Sequence, residues 1–207
     1  MKIKTINDLK KFIEKIFDVT IDAIPNIVNA NLPQPLQIIY TIDAFFATHN
    51  CAYETLRFFR NIDRLTLHQD LQLQDEQFVF ATENQGNWYA KTSLLSDNIY
   101  IYNHEEIHDG IALDESLEDF LITFALLELS NNFKYFCGLY ENSLEKINTE
   151  FRKSEPLWVN KKYLLRNTSF YLIDDEVLFD EANNTIATNN EEKFNYYRSR
   201  LETYLYH

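Results

Sequence analysis

The sequence predicts an α+β fold, a mainly antiparallel sheet with helices packed around it. Three observations carry that expectation. Helical and extended patterns come in blocks, as helices, strands, helices, strands and a last helix, not in strict βα alternation. Residues 78–102 have the pattern of a three-stranded meander. Apolar residues recur at helical spacing at both ends of the chain.

Taken in order, Leu9, Phe12, Ile13, Ile16 and Phe17 follow i, i+3, i+4, i+7, i+8. Such a stripe belongs against a core, and Asn7 or Asp8 stands near the helix start. A second helix opens at Asn31-Leu32-Pro33-Gln34-Pro35-Leu36, since proline is tolerated where first-turn N–H groups have no partner. Leu36, Ile39, Tyr40, Ile42 and Phe46 supply its buried side, and Thr48-His49-Asn50 stops it. Residues 51–68 stay open between helix and strand at Leu56, Phe58 and Phe59, with Leu65-Thr66-Leu67 extended.

In the meander, Phe78-Val79-Phe80-Ala81 runs into the turn Glu83-Asn84-Gln85-Gly86-Asn87, and Trp88-Tyr89-Ala90 restarts it. A second turn at Ser96-Asp97-Asn98 leads to Ile99-Tyr100-Ile101-Tyr102. Period-two alternation puts the two isoleucines on one face and the two tyrosines on the other, as suits a central set of strands. Residues 103–115 form a polar connection. Ser116, with Asp119 three residues on, has capping-box spacing. Leu117, Phe120, Leu121, Phe124 and Leu127, widened by Ile122, Leu126 and Leu129, describe a helix buried on most sides. Asn131-Asn132 interrupts it, a further helix is expected over Phe133–Phe151, and Pro156 marks a break. Tyr171–Ile173 and Val177–Phe179 flank Asp174-Asp175-Glu176 as a hairpin, and Thr185-Ile186-Ala187 adds a strand. Phe194, Tyr197, Leu201, Tyr204 and Leu205 make a closing helix, capped by Asn189 or Asn190.

One domain over residues 1–207 accounts for the whole length. A chain of 207 residues with 45% hydrophobic content buries a core without staples. Two distant cysteines, Cys51 and Cys137, are expected to be reduced, buried thiols and not a disulfide framework. Lys10, Lys11, Glu14 and Lys15 interrupt any leader-like run, and no apolar stretch reaches membrane-spanning length. The expectation is a cytosolic protein with no membrane partner, in which the sequons at Asn167 and Asn183 carry no glycan.

Charge is unevenly spread. The formal net charge is −13. Residues 1–68 hold 8 Lys/Arg against 7 Asp/Glu, residues 69–120 hold 1 against 12, and residues 121–207 hold 10 against 13. Almost all the excess acid thus falls in the quarter containing the meander. It is either a solvated acidic surface or a negative face that steers a basic partner. Phosphate would be repelled, which argues against a nucleic-acid partner. Arg57, Arg60 and Arg64 are the basic cluster placed to answer some of this charge. As partner-binding residues the sequence singles out Glu83, Asp97, Glu105, Glu106 and Asp109, with Trp88 as an anchor wherever its ring meets solvent.

No catalytic set stands out, and neither a cofactor nor a resident metal is expected. There is no glycine-rich phosphate loop, no G-x-S-x-G and no C-x-x-C. His104-Glu105-Glu106-Ile107-His108 does match H-E-x-x-H, in which two histidines on one helical face hold zinc and the glutamate activates water. Here it follows a strand, carries no apolar stripe and runs into Gly110. A zinc-dependent hydrolase is therefore the minor alternative, and a solvated acidic loop the simpler reading.

Three pieces of the chain resemble the SUKH superfamily, which joins fungal cell-wall regulators to bacterial toxin-immunity proteins. Leu32-Pro33-Gln34-Pro35-Leu36 with Tyr40 is similar to its Leu-Pro-x-x-Leu helix opening. Phe78-Val79-Phe80, the turn Glu83-Asn84-Gln85-Gly86 and Trp88 resemble its strand, Glu-Asn-Gln turn and next strand. Ser116-Leu117-Glu118-Asp119-Phe120-Leu121 resembles its Ser-x-x-x-Phe-Leu helix, while residues 103–115 depart from the pattern. The resemblance implies a SUKH-like scaffold and a non-enzymatic, cytoplasmic binding protein. It implies an immunity protein of a polymorphic toxin system that neutralises a basic nuclease- or deaminase-type toxin domain. A general interaction or regulatory module on the same scaffold is the alternative, since fold constrains function only loosely.

Overall fold

The computed structural model describes residues 1–22, 31–49, 59, 63–74, 76–103, 110–151 and 155–204. It is α+β, with five α-helices and two antiparallel sheets. The first helix, α1 (Ile6–Phe17), starts at Thr5, whose side chain accepts from the Asp8 N–H while the Asp8 carboxylate answers the Thr5 N–H. Asp8 thus stands near the helix start as expected, as the N3 partner of a capping box whose N-cap is Thr5. Leu9, Phe12 and Ile13 are fully buried, as their spacing requires. α2 (Gln34–His49) places Pro35 in its first turn and buries Leu36, Ile39, Ile42 and Phe46.

The first sheet has strand order β1-β2-β3-β4-β5: β1 (Asp63–Leu65), β2 (Gln77–Glu83), β3 (Trp88–Ser93), β4 (Ile99–Asn103) and β5 (Ile111–Leu113). The meander lies at its centre, flanked by two short strands that cap its edges. β5 adds a strand inside the expected polar connection over 103–115, since Ile99↔Leu113 and Ile101↔Ile111 pair in register. Three residues are too few to show a period before a partner strand is in place.

α3 (Leu117–Asn132) follows, with the Ser116 hydroxyl accepting from the Asp119 N–H at 3.0 Å. It is buried on nearly every side, as its wide apolar pattern predicts. The second sheet has order β11-β6-β10-β9-β8-β7. Its members are β6 (Tyr135–Leu139), β7 (Trp158–Asn160), β8 (Thr168–Ile173), β9 (Val177–Asp180), β10 (Thr185–Thr188) and β11 (Thr203–Tyr204). The expected helix over 133–151 is corrected here. Its first part is β6, paired with β10 through Cys137↔Ile186, and only α4 (Glu141–Lys146) and a π-helical turn over Ile147–Phe151 are helical. The 171–179 hairpin forms as β8 and β9, turning through Asp174 and Asp175 at φ 50° and 63°, a left-handed conformation that Asp tolerates. The closing helix is shorter than expected. α5 (Glu191–Arg198) is capped by Asn190 and ends before Leu201, and Tyr204 belongs to β11.

α3 lies between the sheets. It packs on α1, α2, β7, β9 and β10, and its Phe120 and Phe124 meet Phe80 of β2 and the described residue Phe59. One apolar cluster therefore joins α1, α2, α3, the inner face of the first sheet and Phe170, Leu172, Leu178 and Ala187 of the second. A second cluster, with Phe179, Ile186, Phe194 and Tyr197, fills the other face of the second sheet beneath α5. Cys137 lies in this second cluster, where burial pushes its thiol up to about 11, as expected of an inert buried cysteine. Cys51 lies outside the described residues. Among the described residues, no helix is long and apolar enough to cross a membrane.

Candidate functional site

Strand register builds the site. β1 pairs with β2 so that Asp63 stands directly opposite Glu83, and β3 pairs with β4 so that Trp88 stands opposite Asn103. The pairing Thr82↔Tyr89 brings Glu83 and Trp88 side by side where β2 turns into β3. That turn is held by the Glu83 side chain, which accepts from the Asn87 N–H at 2.8 Å, and by Gly86 at φ 80°. Asp63, Glu83, Trp88 and Asn103 thus form one row across four strands, at one end of the first sheet.

The row lines a cleft of about 870 Å³. Phe136, Thr168, Asp180 and Thr185 of the second sheet form the facing wall, and Leu127 and Ser130 of α3 lie between. The segment after β7 adds Tyr163 and Arg166. The size suits a small ligand or one inserted side chain.

The electrostatics of the cleft are uneven. Asp63 is only 7% exposed. Burial, and next the carboxylate of Glu83 across the strand pair, push its carboxyl up to about 7. Like charges directly opposite one another weaken a sheet, so this pair is a cost built into the fold. The Asp63 N–H donates to Glu128 Oε1 of α3 at 2.7 Å, which adds a third carboxylate behind the row. Tyr163 is 4% exposed, and its hydroxyl has no hydrogen-bond partner among the described residues. Burial pushes this phenol well up, and Asp63, Glu115 and Glu128 push it further. Asp180 is also raised by burial, but its oxygens accept from the N–H groups of Ala182 and Asn183 and from Asn183 Nδ2, so it holds its own turn. Against Asp63, Glu83 and Asp180, exposed Arg166 is the one cation among the described residues lining the cleft.

The partner-binding residues named from sequence separate. Glu83 and half-buried Trp88 meet in the cleft row. Asp97 is exposed in the β3–β4 turn, at the other end of β3, roughly 20 Å away by strand rise. Glu105, Glu106 and Asp109 lie outside the described residues, as do His104 and His108, Arg57 and Arg60. A single acidic exterior patch is therefore corrected for the described part of 69–120. Glu118 accepts from the Ile6 N–H at the start of α1, Glu115 accepts from Asn160 Nδ2, and Asp114 pairs with Lys162 at 2.6 Å. Glu118 and Glu115 serve the fold, while Asp114 stays on the surface in an exposed ion pair. Among the described residues, no group of three or more His, Cys, Asp or Glu is placed to hold a metal ion.

Sequence reasoning missed Asp63, Tyr163 and Arg166. Asp63 had one faint signal, a lone acid beside the alternation into Leu65. Its partnership with Glu83 depends on a pairing across twenty residues of chain. No family model, curated protein or solved structure matches the chain.

Proposed function

We propose that the protein is a non-enzymatic binder of a basic protein domain, and that it acts in the cytoplasm as an immunity protein against a nuclease- or deaminase-type toxin. The observation that carries this reading is the acid–acid–aromatic row in an open cleft whose described lining holds three carboxyl groups and one arginine. A cleft of that sign concentrates positive charge, and a chain of net charge −13 steers a basic partner toward it. The SUKH-like motifs at Leu32–Leu36, Phe78–Trp88 and Ser116–Leu121 support the same reading by resemblance. Seating a basic toxin against the cleft would cover the surface the toxin needs for nucleic acid.

A second reading, a general interaction module that binds through apolar surface, is favoured by Leu73 and Leu95, which are 57% and 78% exposed. Salt separates the two. The chain is co-expressed with the product of the gene adjacent to its own, growth is followed, and the affinity of the purified pair is measured at two salt concentrations. Growth rescue with a Kd that weakens at least about tenfold between about 50 and about 500 mM salt is expected. A neighbouring product that is harmless, or is not rescued, overturns the immunity reading. A tight but salt-insensitive complex favours the module.

A further inference from the structure

The cleft row has more detail than charge complementarity needs. It places two carboxyls on adjacent strands, in register, with half-buried Trp88 next in the row on the same cleft. A tyrosine hydroxyl without a partner lies in the field of the inner carboxyl. Resting on the reading above, we infer that this row is a seat for one guanidinium group, delivered as an arginine side chain of the basic partner. Glu83 and Asp63 would take its edge, Trp88 its face and Tyr163 Oη its inner end.

Each part of the seat answers one property of that group. Guanidinium is planar, always charged and weakly hydrated, donates along its edges and stacks on aromatic rings. Facing carboxyls that repel each other when empty become favourable with a cation between them. Tyr163 Oη can accept from a donor, which the described structure does not offer it. The groups facing Asp63 among the described residues are Glu83 from β2, Glu128 from α3 and Tyr163 from the segment after β7. Asp180 and Arg166 stand elsewhere on the cleft wall. Below neutral pH Asp63 holds a proton. Seating a cation expels that proton to solvent, so affinity should rise with pH until Asp63 is ionised in the empty protein.

The probe is n-butylguanidinium, with uncharged n-butylurea of similar shape as its control. Binding is followed by the indole N–H resonance of Trp88. Trp158, whose indole donates to Thr123 on α3, serves as internal reference. Butylguanidinium should move the Trp88 signal saturably, and butylurea should leave it in place. Glu83→Gln, at the half-exposed end of the row, should weaken binding at least about tenfold at pH 8. Affinity of the unaltered protein should tighten between pH 5.5 and 8, and Asp63→Asn should flatten that dependence. Equal shifts from butylurea, or an affinity untouched by Glu83→Gln, overturn the inference. If butylguanidinium fails while the salt-sensitive protein complex survives, the guanidinium seat falls and the immunity reading stands. If it binds a protein that takes no basic partner, the seat stands and its ligand is a free guanidine.

Discussion

Asp63 and Glu83 face each other across β1 and β2, and the inner one is buried. This has a consequence for stability that is independent of any ligand. Asp63 titrates near 7 in the fold and near the usual aspartate value, about 3.9, in the unfolded chain. Below about pH 4 both states keep the proton and the residue costs nothing. Between those values the unfolded chain gives up a proton that the fold retains, so stability from this group falls as pH rises and is lost above about 7. Asp63→Asn keeps the shape and cannot ionise. Its melting temperature should match the unaltered protein below about pH 4 and exceed it by several degrees at pH 8, on the order of 2–4 kcal/mol. Thermal melts across that range check it, and a pH-independent difference would refute the assignment. Ser116→Ala is a smaller change of the same scale. It removes the acceptor for the Asp119 N–H, so α3 should lose about 1 kcal/mol in denaturant titration.

At the scale of elements, the most informative contact is between β11 and β6. Tyr204 pairs with Gly138, and its ring lies across that glycine where any Cβ would collide. Gly138→Ala should therefore cost about 1–3 kcal/mol by pushing the ring aside, as overpacking does. Tyr204→Ala in the same chain should recover part of that loss. Additive losses in the double variant would show that the collision is not the cause. This contact also explains where sequence reasoning stopped. α3 was legible because a stripe of eight apolar residues has one period, and the 171–179 hairpin because two β-rich runs flank an Asp-Asp turn. β6 reads as part of a helix in sequence because Phe136, Cys137 and Leu139 have no strand period of their own. Only β10 on one side and β11 on the other make them extended. The end of α5 was overrun because Leu201 and Tyr204 continue the helical spacing, although the chain bends there to reach β6. The site followed the same rule. Glu83 and Trp88 were visible from the turn between them, whereas Asp63 and Tyr163 were not, since pairing and burial alone bring them to the cleft.

The whole molecule is organised around α3, which touches both sheets, so its packing decides whether they melt together. Phe124 is fully buried against Phe59 and Phe120, and Phe120 meets Phe80 of the first sheet and Tyr163 beside the second. On the other side Thr123 Oγ1 accepts from Trp158 Nε1 at 3.0 Å and from Asn160 Nδ2 at 2.9 Å, both on β7. Removing the ring in Phe124→Ala should cost about 3–5 kcal/mol, the range for a buried aromatic that leaves a cavity. If α3 couples the layers, that loss must appear equally in each of them. The chain has two tryptophans, Trp88 on the first sheet and Trp158 on the second, so each layer carries its own fluorophore. Trp88→Phe and Trp158→Phe isolate one reporter each. Both should unfold at midpoints that coincide once each variant's own stability is measured by circular dichroism, and Phe124→Ala should move both by the same amount. A midpoint that shifts for Trp88 alone would assign α3 to the first sheet. The cleft between the sheets would then open and close as two units slide, and would not be held as one rigid seat.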